Sequence, residues 1–270
     1  MTTNKQLSIL LGMDSFVYMV VAQGRVVVLK NYSLNVYDRK HPHLFLDDLQ
    51  GILLTDRDLK PSFQKIFIGL IHPLAVVVPD GLYDEKDRRV FLHHLTDKTD
   101  DLAVFTSALP LIKAKVVYSL DYQIVKVLDH LLPTAYLTHI WSAVINHLLE
   151  KHCPYQEGRH IFVNFHLKNI EIFAFDQKWL LYSNSFPFEQ AADVLYAVMV
   201  VIQELGLDMK KVAVFLGGEI IEDSAIYRLL FRFFPKLKFY EEELFYEFGP
   251  KMQQLPPHYY MDLMSISKVF

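Results

Sequence analysis

The sequence predicts an α/β protein built from two copies of one sheet-plus-helices unit. Two observations carry this. Short runs of Val, Ile, Leu, Tyr and Phe alternate with segments of helical period, which is the signature of sheets flanked by helices. The opening pattern of three such runs then restarts 154 residues later, and 270 residues is more than one domain usually holds.

Leu7–Leu11, Phe16–Ala22 and Arg25–Tyr32 read as three strands in meander. Gly12–Ser15 separates the first pair, and Gln23-Gly24 is a two-residue hairpin turn. His41–Leu54 reads as a helix, with Leu44, Leu46, Leu49, Ile52 and Leu53 at mostly three- and four-residue spacing. Lys65–Ile71 and Leu74–Val78 are strands broken at His72-Pro73, and Asp84–Leu95 is expected to be a helix with acids in its first turn. Ala103–Ser107 and Ala114–Tyr118 are strands. Asp121 is placed to cap a helix over Tyr122–Leu132, and Trp141–His152 is a further helix ending before Cys153-Pro154.

Pro154–Arg159 punctuates the chain, and the pattern then begins again. His160–Phe165, Ile170–Phe175 and Trp179–Ser185 are strands, and Glu189–Leu205 is a long helix stopped by Gly206. Val212–Leu216 is a buried strand followed by a Gly217-Gly218 turn, Asp223–Phe234 a helix stopped by Pro235, and Leu237–Tyr240 a last edge strand. Sliding the chain by 154 residues puts Ile9 on Val163, Gly12 on His166, Phe16 on Ile170, Tyr18 on Ile172, Gln23 on Gln177 and Val26 on Leu180, with no gap. The boundaries expected are a first domain over 1–153, with a small inserted subdomain over about 72–119, and a second over 160–270.

A duplicated meander followed by strand–Gly-Gly–helix resembles the actin-like ATPase superfamily, in particular its branch of bacterial division and pilus proteins, and an uncharacterised bacterial family of this fold. The resemblance implies two RNase H-like domains, each a mixed five-stranded sheet with flanking helices, and a cleft between them. It also implies that the first turn of each meander is a phosphate loop, with an Asp before a Gly, the Asp serving Mg²⁺. Here Leu10 stands for the first Asp, although Gly12 is present with Asp14 and Ser15 beside it. In the second loop Asn164 replaces the Asp and His166 the Gly. A His, with its Cβ and ring, is not expected to follow a Gly-only backbone close to a phosphate. Gly217 and Gly218 are the counterparts of the pair that packs beside adenosine. Gly12, Asp14, Ser15, Gly217 and Gly218 are therefore the candidate residues of a degenerate nucleotide site.

With both acids gone, no metal ligand and no catalytic residue is assigned, and an enzyme is disfavoured because phosphoryl transfer relies on metal-assisted charge neutralisation. The expected role is a non-catalytic pseudo-ATPase: a scaffold, adaptor or assembly protein, with nucleotide sensing left open. The alternatives are an active phosphotransferase using displaced acids such as Asp14 and Asp80, and a structural dimerisation module, which would make the chain a homodimer. No cofactor is required, although ATP binding stays open, and a protein partner is expected. A net charge of −4 gives no pull toward nucleic acid. No apolar stretch reaches the ~20 residues of a membrane span, and no signal sequence is legible, so a cytoplasmic place is expected. His41-Pro42-His43, His93-His94 and His258 lack metal-site spacing, and Cys153 reads as a spare thiol. The aromatic segment Phe239–Tyr260, with Phe245, Tyr246, Phe248, Tyr259 and Tyr260, is expected to pack rather than to lie exposed.

Overall fold

The computed structural model describes residues 5–96, 101–241, 246–249 and 256–268. They form two compact units: 5–96, 101–144, 246–249 and 263–268 in the first, and 145–241 with 256–262 in the second. The division falls inside a helix and not at Pro154–Arg159.

In the first unit β1 (Lys5–Leu11), β2 (Ser15–Ala22) and β3 (Arg25–Ser33) form the antiparallel meander, followed by helix α1 (Pro42–Thr55). β4 (Lys65–Leu70) then runs parallel to β1. β5 (Ala75–Pro79), β6 (Leu102–Leu109) and β7 (Ala114–Asp121) make a separate antiparallel sheet in the order β5-β7-β6. Helix α2 (Tyr122–Leu131) starts at Asp121, whose carboxylate accepts from the N–H of Gln123 at 2.8 Å. β8 (Ala135–His139) pairs parallel with β4 and leads into α3 (Ile140–Lys151).

The second unit repeats the plan with β9 (Arg159–Phe165), β10 (Asn169–Asp176) and β11 (Trp179–Pro187). α4 (Ala191–Glu204) follows, its start stapled by Asp193, which accepts from the N–H groups of Glu189 and Gln190. Then come β12 (Ala213–Gly218), α5 (Ala225–Phe233), capped by Ser224, and β13 (Leu237–Phe239). Residues 247–248 return to the first unit as β14, against β3, and α6 (Met261–Ser265) lies near the end of the chain.

The first sheet has the order β14-β3-β2-β1-β4-β8 and the second β11-β10-β9-β12-β13. Apart from β14 they are the same arrangement, three antiparallel strands followed by two parallel ones. The match extends to single residues. Shifted by 154, the bounds of β1, β2 and β3 become those of β9, β10 and β11. The bulge between Val20 and Val21 reappears between Ala174 and Phe175, and both hairpins turn on a Gln with positive φ, Gln23 at 53° and Gln177 at 51°.

Central strands β1 and β9 are buried along nearly their whole length, which is why they read as continuous apolar runs. In the second unit Ile161, Val163 and Leu216 meet Val194, Val198 and Val201 of α4 and Leu230 of α5 in one core. Three expectations need correction. Asp84–Leu95 holds only a short 3₁₀ turn, Arg88–Leu92; β8 lay unread behind Pro133; and Gly217-Gly218 ends a strand rather than forming a turn. Phe248 is buried and Tyr259 and Tyr260 are half-buried, so these aromatics pack; Phe245 lies outside the described residues.

The first meander is tied to α1 through one carboxylate. Asp56, the residue after α1, accepts from Tyr18 Oη and Tyr32 Oη, both at 2.6 Å, and from Lys30 Nζ at 2.8 Å. Burial alone would raise its pKa; Lys30 and the two hydroxyls overcome this and hold it well below the usual carboxylate range. Replacing Asp56 with Ala strands the buried Tyr18 hydroxyl and the part-buried Tyr32 hydroxyl, and leaves Lys30 with Asp58 alone, at 2.8 Å. The expected cost is about 3 kcal/mol, against about 1 kcal/mol for Tyr32→Phe. Urea denaturation of the two variants checks this, and equal small losses would show that the cluster is not a structural tie.

Candidate functional site

The first loop joins β1 to β2. Gly12 N–H donates to Ser15 O at 2.9 Å, closing the turn, and the N–H groups of Leu34 and Tyr37 reach Asp14 O and Met13 O at 2.8 and 2.7 Å. A Cβ on Gly12 would stand 2.6 Å from Ser15 Oγ, so the glycine is needed for room. Asp14 and Ser15 are 9% and 8% exposed. The Asp14 carboxylate has no hydrogen bond or ion pair among the described residues, and its oxygens keep access to solvent. The structure thus brings Gly12, Asp14 and Ser15 together. Asp80, the other displaced acid, is at the tip of the small sheet and pairs with Lys115 at 3.0 Å.

The second loop, between β9 and β10, makes the same turn with a different residue. His166 N–H donates to Asn169 O at 2.9 Å, as Gly12 does to Ser15, and Phe188 N–H reaches Lys168 O at 3.0 Å, as Leu34 does Asp14. The turn itself therefore accepts a His. Gly12 does not have positive φ, and what the His changes is the space beside the loop.

That space is filled by a charged cluster. His166 is 5% exposed, with Nε2 3.1 Å from Glu171 Oε2 and Nδ1 3.5 Å from Asp262 Oδ2. Asn164 Nδ2 donates to the same Glu171 oxygen at 3.1 Å. Asn164, Glu171 and Asp262 are all at most 2% exposed. Burial would drive the imidazolium to lose its proton. Glu171, through its charge and its hydrogen bond, and then Asp262 and Glu219 outweigh burial and raise the pKa from 6.5 to about 9. His166 is thus a cation at neutral pH, its Nε2 donating to Glu171 and its Nδ1 facing the Asp262 carboxylate. Its 3.2 Å approach to Asn164 Nδ2 is then a contact of two donors sharing one acceptor.

Gly217 and Gly218 end β12 directly beside this loop, opposite Asn164 and Phe165 in parallel register. Both are buried against protein. A Cβ on Gly218 would lie 2.2 Å from Phe165 O and 2.7 Å from Asn164 Oδ1, at a φ of +76°, and one on Gly217 would lie 2.6 Å from Phe162 Cζ. Glu219 N–H donates to Phe165 O at 2.8 Å, so this part of the loop already has a protein partner. Among the described residues no group of three or more His, Cys, Asp or Glu is arranged to hold a metal ion. Cys153 is buried, and burial pushes its thiol up to about 12.

Residues 1–237 match the model of a family described as "Protein of unknown function (DUF3822)". The chain belongs to that family. No curated protein matches it. Among solved structures it is similar to a Bacteroides thetaiotaomicron protein described as having an actin-like ATPase fold and unknown function, at 17% identity and TM-score 0.77, over 99% of this chain and 96% of that one. It is also similar to PilM in a PilM-PilN type IV pilus biogenesis complex, at 11% identity and TM-score 0.60, over 97% of each chain. A third likeness is to the ethanolamine utilization protein EutJ from Carboxydothermus hydrogenoformans, at 9% identity and TM-score 0.50, over 98% and 90%. The fold of this DUF3822 chain is the actin-like ATPase fold. No helix among the described residues is long and apolar enough to cross a membrane.

Glu171 and Asp262 were invisible as site residues in the sequence. Glu171 sat inside an apolar run where a lone acid is a usable signal, whereas Asp262 is nearly a hundred residues from its partner. Two outcomes are expected. Because the folded-state pKa of His166 is raised, its stabilisation is complete below about pH 6.5 and is lost as pH rises through about 9. Wild type should therefore lose on the order of 3 kcal/mol across that window. A double variant, His166→Leu with Glu171→Gln, should lack this limb; parallel profiles in thermal denaturation would assign it to another group. Gly218→Ala should destabilise by about 3 kcal/mol or more, since both the contact and the φ resist a Cβ.

Proposed function

We propose that this chain is a non-catalytic actin-like protein that acts as a scaffold or adaptor for a protein partner, in the cytoplasm of a bacterium. The observation that carries the reading is the second loop. Where the resemblance calls for an Asp, a Gly and open space for phosphate, there is Asn164 and the buried His166–Glu171 pair. Phosphoryl transfer needs charge neutralised at the phosphates and a positioned base. A neutral amide and an imidazolium already committed to two carboxylates supply neither. The PilM-PilN complex lends support to partner binding by this fold, since it is a protein–protein assembly.

One observation favours a second reading, in which a nucleotide is bound. Asp14, next to Gly12, has a carboxylate with no protein partner among the described residues, and its oxygens keep access to solvent. Such a group is open to a cation or a ligand donor. A thermal-shift series with ATP, ADP and GTP, each with and without Mg²⁺, separates the readings. A ligand at 100 times its Kd stabilises by about 2.7 kcal/mol, several degrees for domains of this size. The scaffold reading expects no Mg²⁺-dependent shift, and Asp14→Asn at least as stable as wild type. A Mg²⁺-dependent ATP shift that Asp14→Asn abolishes would overturn it. A metal-independent shift would make the protein a nucleotide sensor without hydrolysis.

A further inference from the structure

Residues 224–240 hold four cations, Arg228, Arg232, Lys236 and Lys238, and no acid, in a chain whose net charge is −4. Helix α5 carries the first two. It buries Leu230, and Phe234 just past its end, in the core of the second unit. Arg228, Phe231 and Arg232 follow one another at helical spacing on the outer side. All three are exposed, Phe231 by 58%. The side chains of Arg228 and Arg232 make no hydrogen bond or ion pair among the described residues, and neither does that of Lys236 in the turn that follows. Lys238 is set apart, because it leaves β13 on the face opposite Phe239, which packs toward α5.

Phe231 is also the outer end of a stack of rings. It lies on Tyr227 with centroids 5.8 Å apart, Tyr227 on Phe239 at 4.9 Å, and Phe239 on His258 at 4.4 Å, with interplanar angles of 23°, 9° and 13°. The inner end is closed, since His258 is buried with Nε2 2.9 Å from Ile220 O. The outer end is open to solvent. A ring held from beneath in this way is already ordered, so a further ring can stack on it without the cost of fixing a free side chain.

We propose that this side of α5 docks an acidic segment of a partner protein, with carboxylates at Arg228 and Arg232 and one aromatic ring on Phe231. Guanidinium groups take carboxylates in bidentate pairs, and offset stacking adds to the contact. Charge selects the acid: two guanidiniums stand without a protein partner among the described residues, and nothing negative lies in the chain between Asp223 and Glu241. A nucleic acid fits less well, because a polyphosphate that runs beyond the patch meets a net negative protein. The inference rests on the scaffold reading and names the chemistry of the partner.

Selection from a random peptide library displayed on phage, against the folded full chain, tests this. Enriched peptides should combine Asp or Glu with Phe, Tyr or Trp. A fluorescein-labelled copy of one should bind in fluorescence anisotropy, and more weakly as salt rises. Arg228→Gln with Arg232→Gln should weaken it about fivefold, and Phe231→Ala by about the same factor. Lys126→Gln, an exposed lysine of α2, should change nothing. Enriched peptides without acids, peptides that bind the α5 variants as tightly as wild type, or no enrichment would each overturn the proposal. So would a labelled single-stranded oligonucleotide that binds more tightly than the peptides and loses its affinity in the arginine variant. The nucleotide series is a separate arm: a Mg²⁺-dependent ATP shift would sink the scaffold reading, whereas failure of the peptides alone sinks only the α5 site.

Discussion

A protonated imidazole inside a protein is tolerable only while carboxylates face it, because the interior penalises an uncompensated charge far more than water does. In the second unit that constraint orders everything around the β9–β10 turn. His166 requires Glu171 on one side and Asp262 on the other. Asn164 shares the Glu171 oxygen, and its own carbonyl is against Gly218, which is where a Cβ would have to go. The glycine of β12 is thus required by the same cluster that occupies the loop. Residues that a nucleotide-centred reading treats as separate ligand contacts are here parts of one internal packing problem.

The two meanders isolate the effect of chemistry from that of backbone. Their strands, hairpin turns and bulges agree at a constant offset of 154 residues, and their first turns close with the same hydrogen bond. The side chains then diverge: Gly12 with a solitary Asp14 in one loop, His166 with two carboxylates in the other. One loop leaves its acid open to solvent without a protein partner among the described residues, while the other has satisfied its charge internally.

Periodicity was enough to read most elements. The meanders were legible because central strands buried on both faces read as continuous runs, and α2 because Asp121 is a cap with a definite hydrogen bond. The misreadings also have physical causes. Ala135–His139 carries a mixed sequence behind a proline, and it is a strand because β4 offers an edge. Asp84–Leu95 has acids and apolar residues at helical spacing, yet only one 3₁₀ turn forms at Arg88–Leu92, packed beside β5 and β7. Within the candidate site, the local replacements at Leu10, Asn164 and His166 were visible. The partners of His166 were not, because a tertiary ion pair leaves no spacing in the chain.

The turn of the second loop is kept without the Asp and Gly of a phosphate loop, and the reason is energetic. The phosphate-loop Asp of an active enzyme is held unsatisfied for its metal, and such a group costs stability. An Asn at that position, with a compensated ion pair in the adjacent space, avoids that cost and keeps the turn, whose closing hydrogen bond Gly12 and His166 share. The first loop differs: the Asp14 carboxylate has no protein partner among the described residues and its oxygens keep access to solvent. An open acid beside Gly12, in contrast to the internally paired charge of the second loop, makes the first loop the place where ligand chemistry is to be sought.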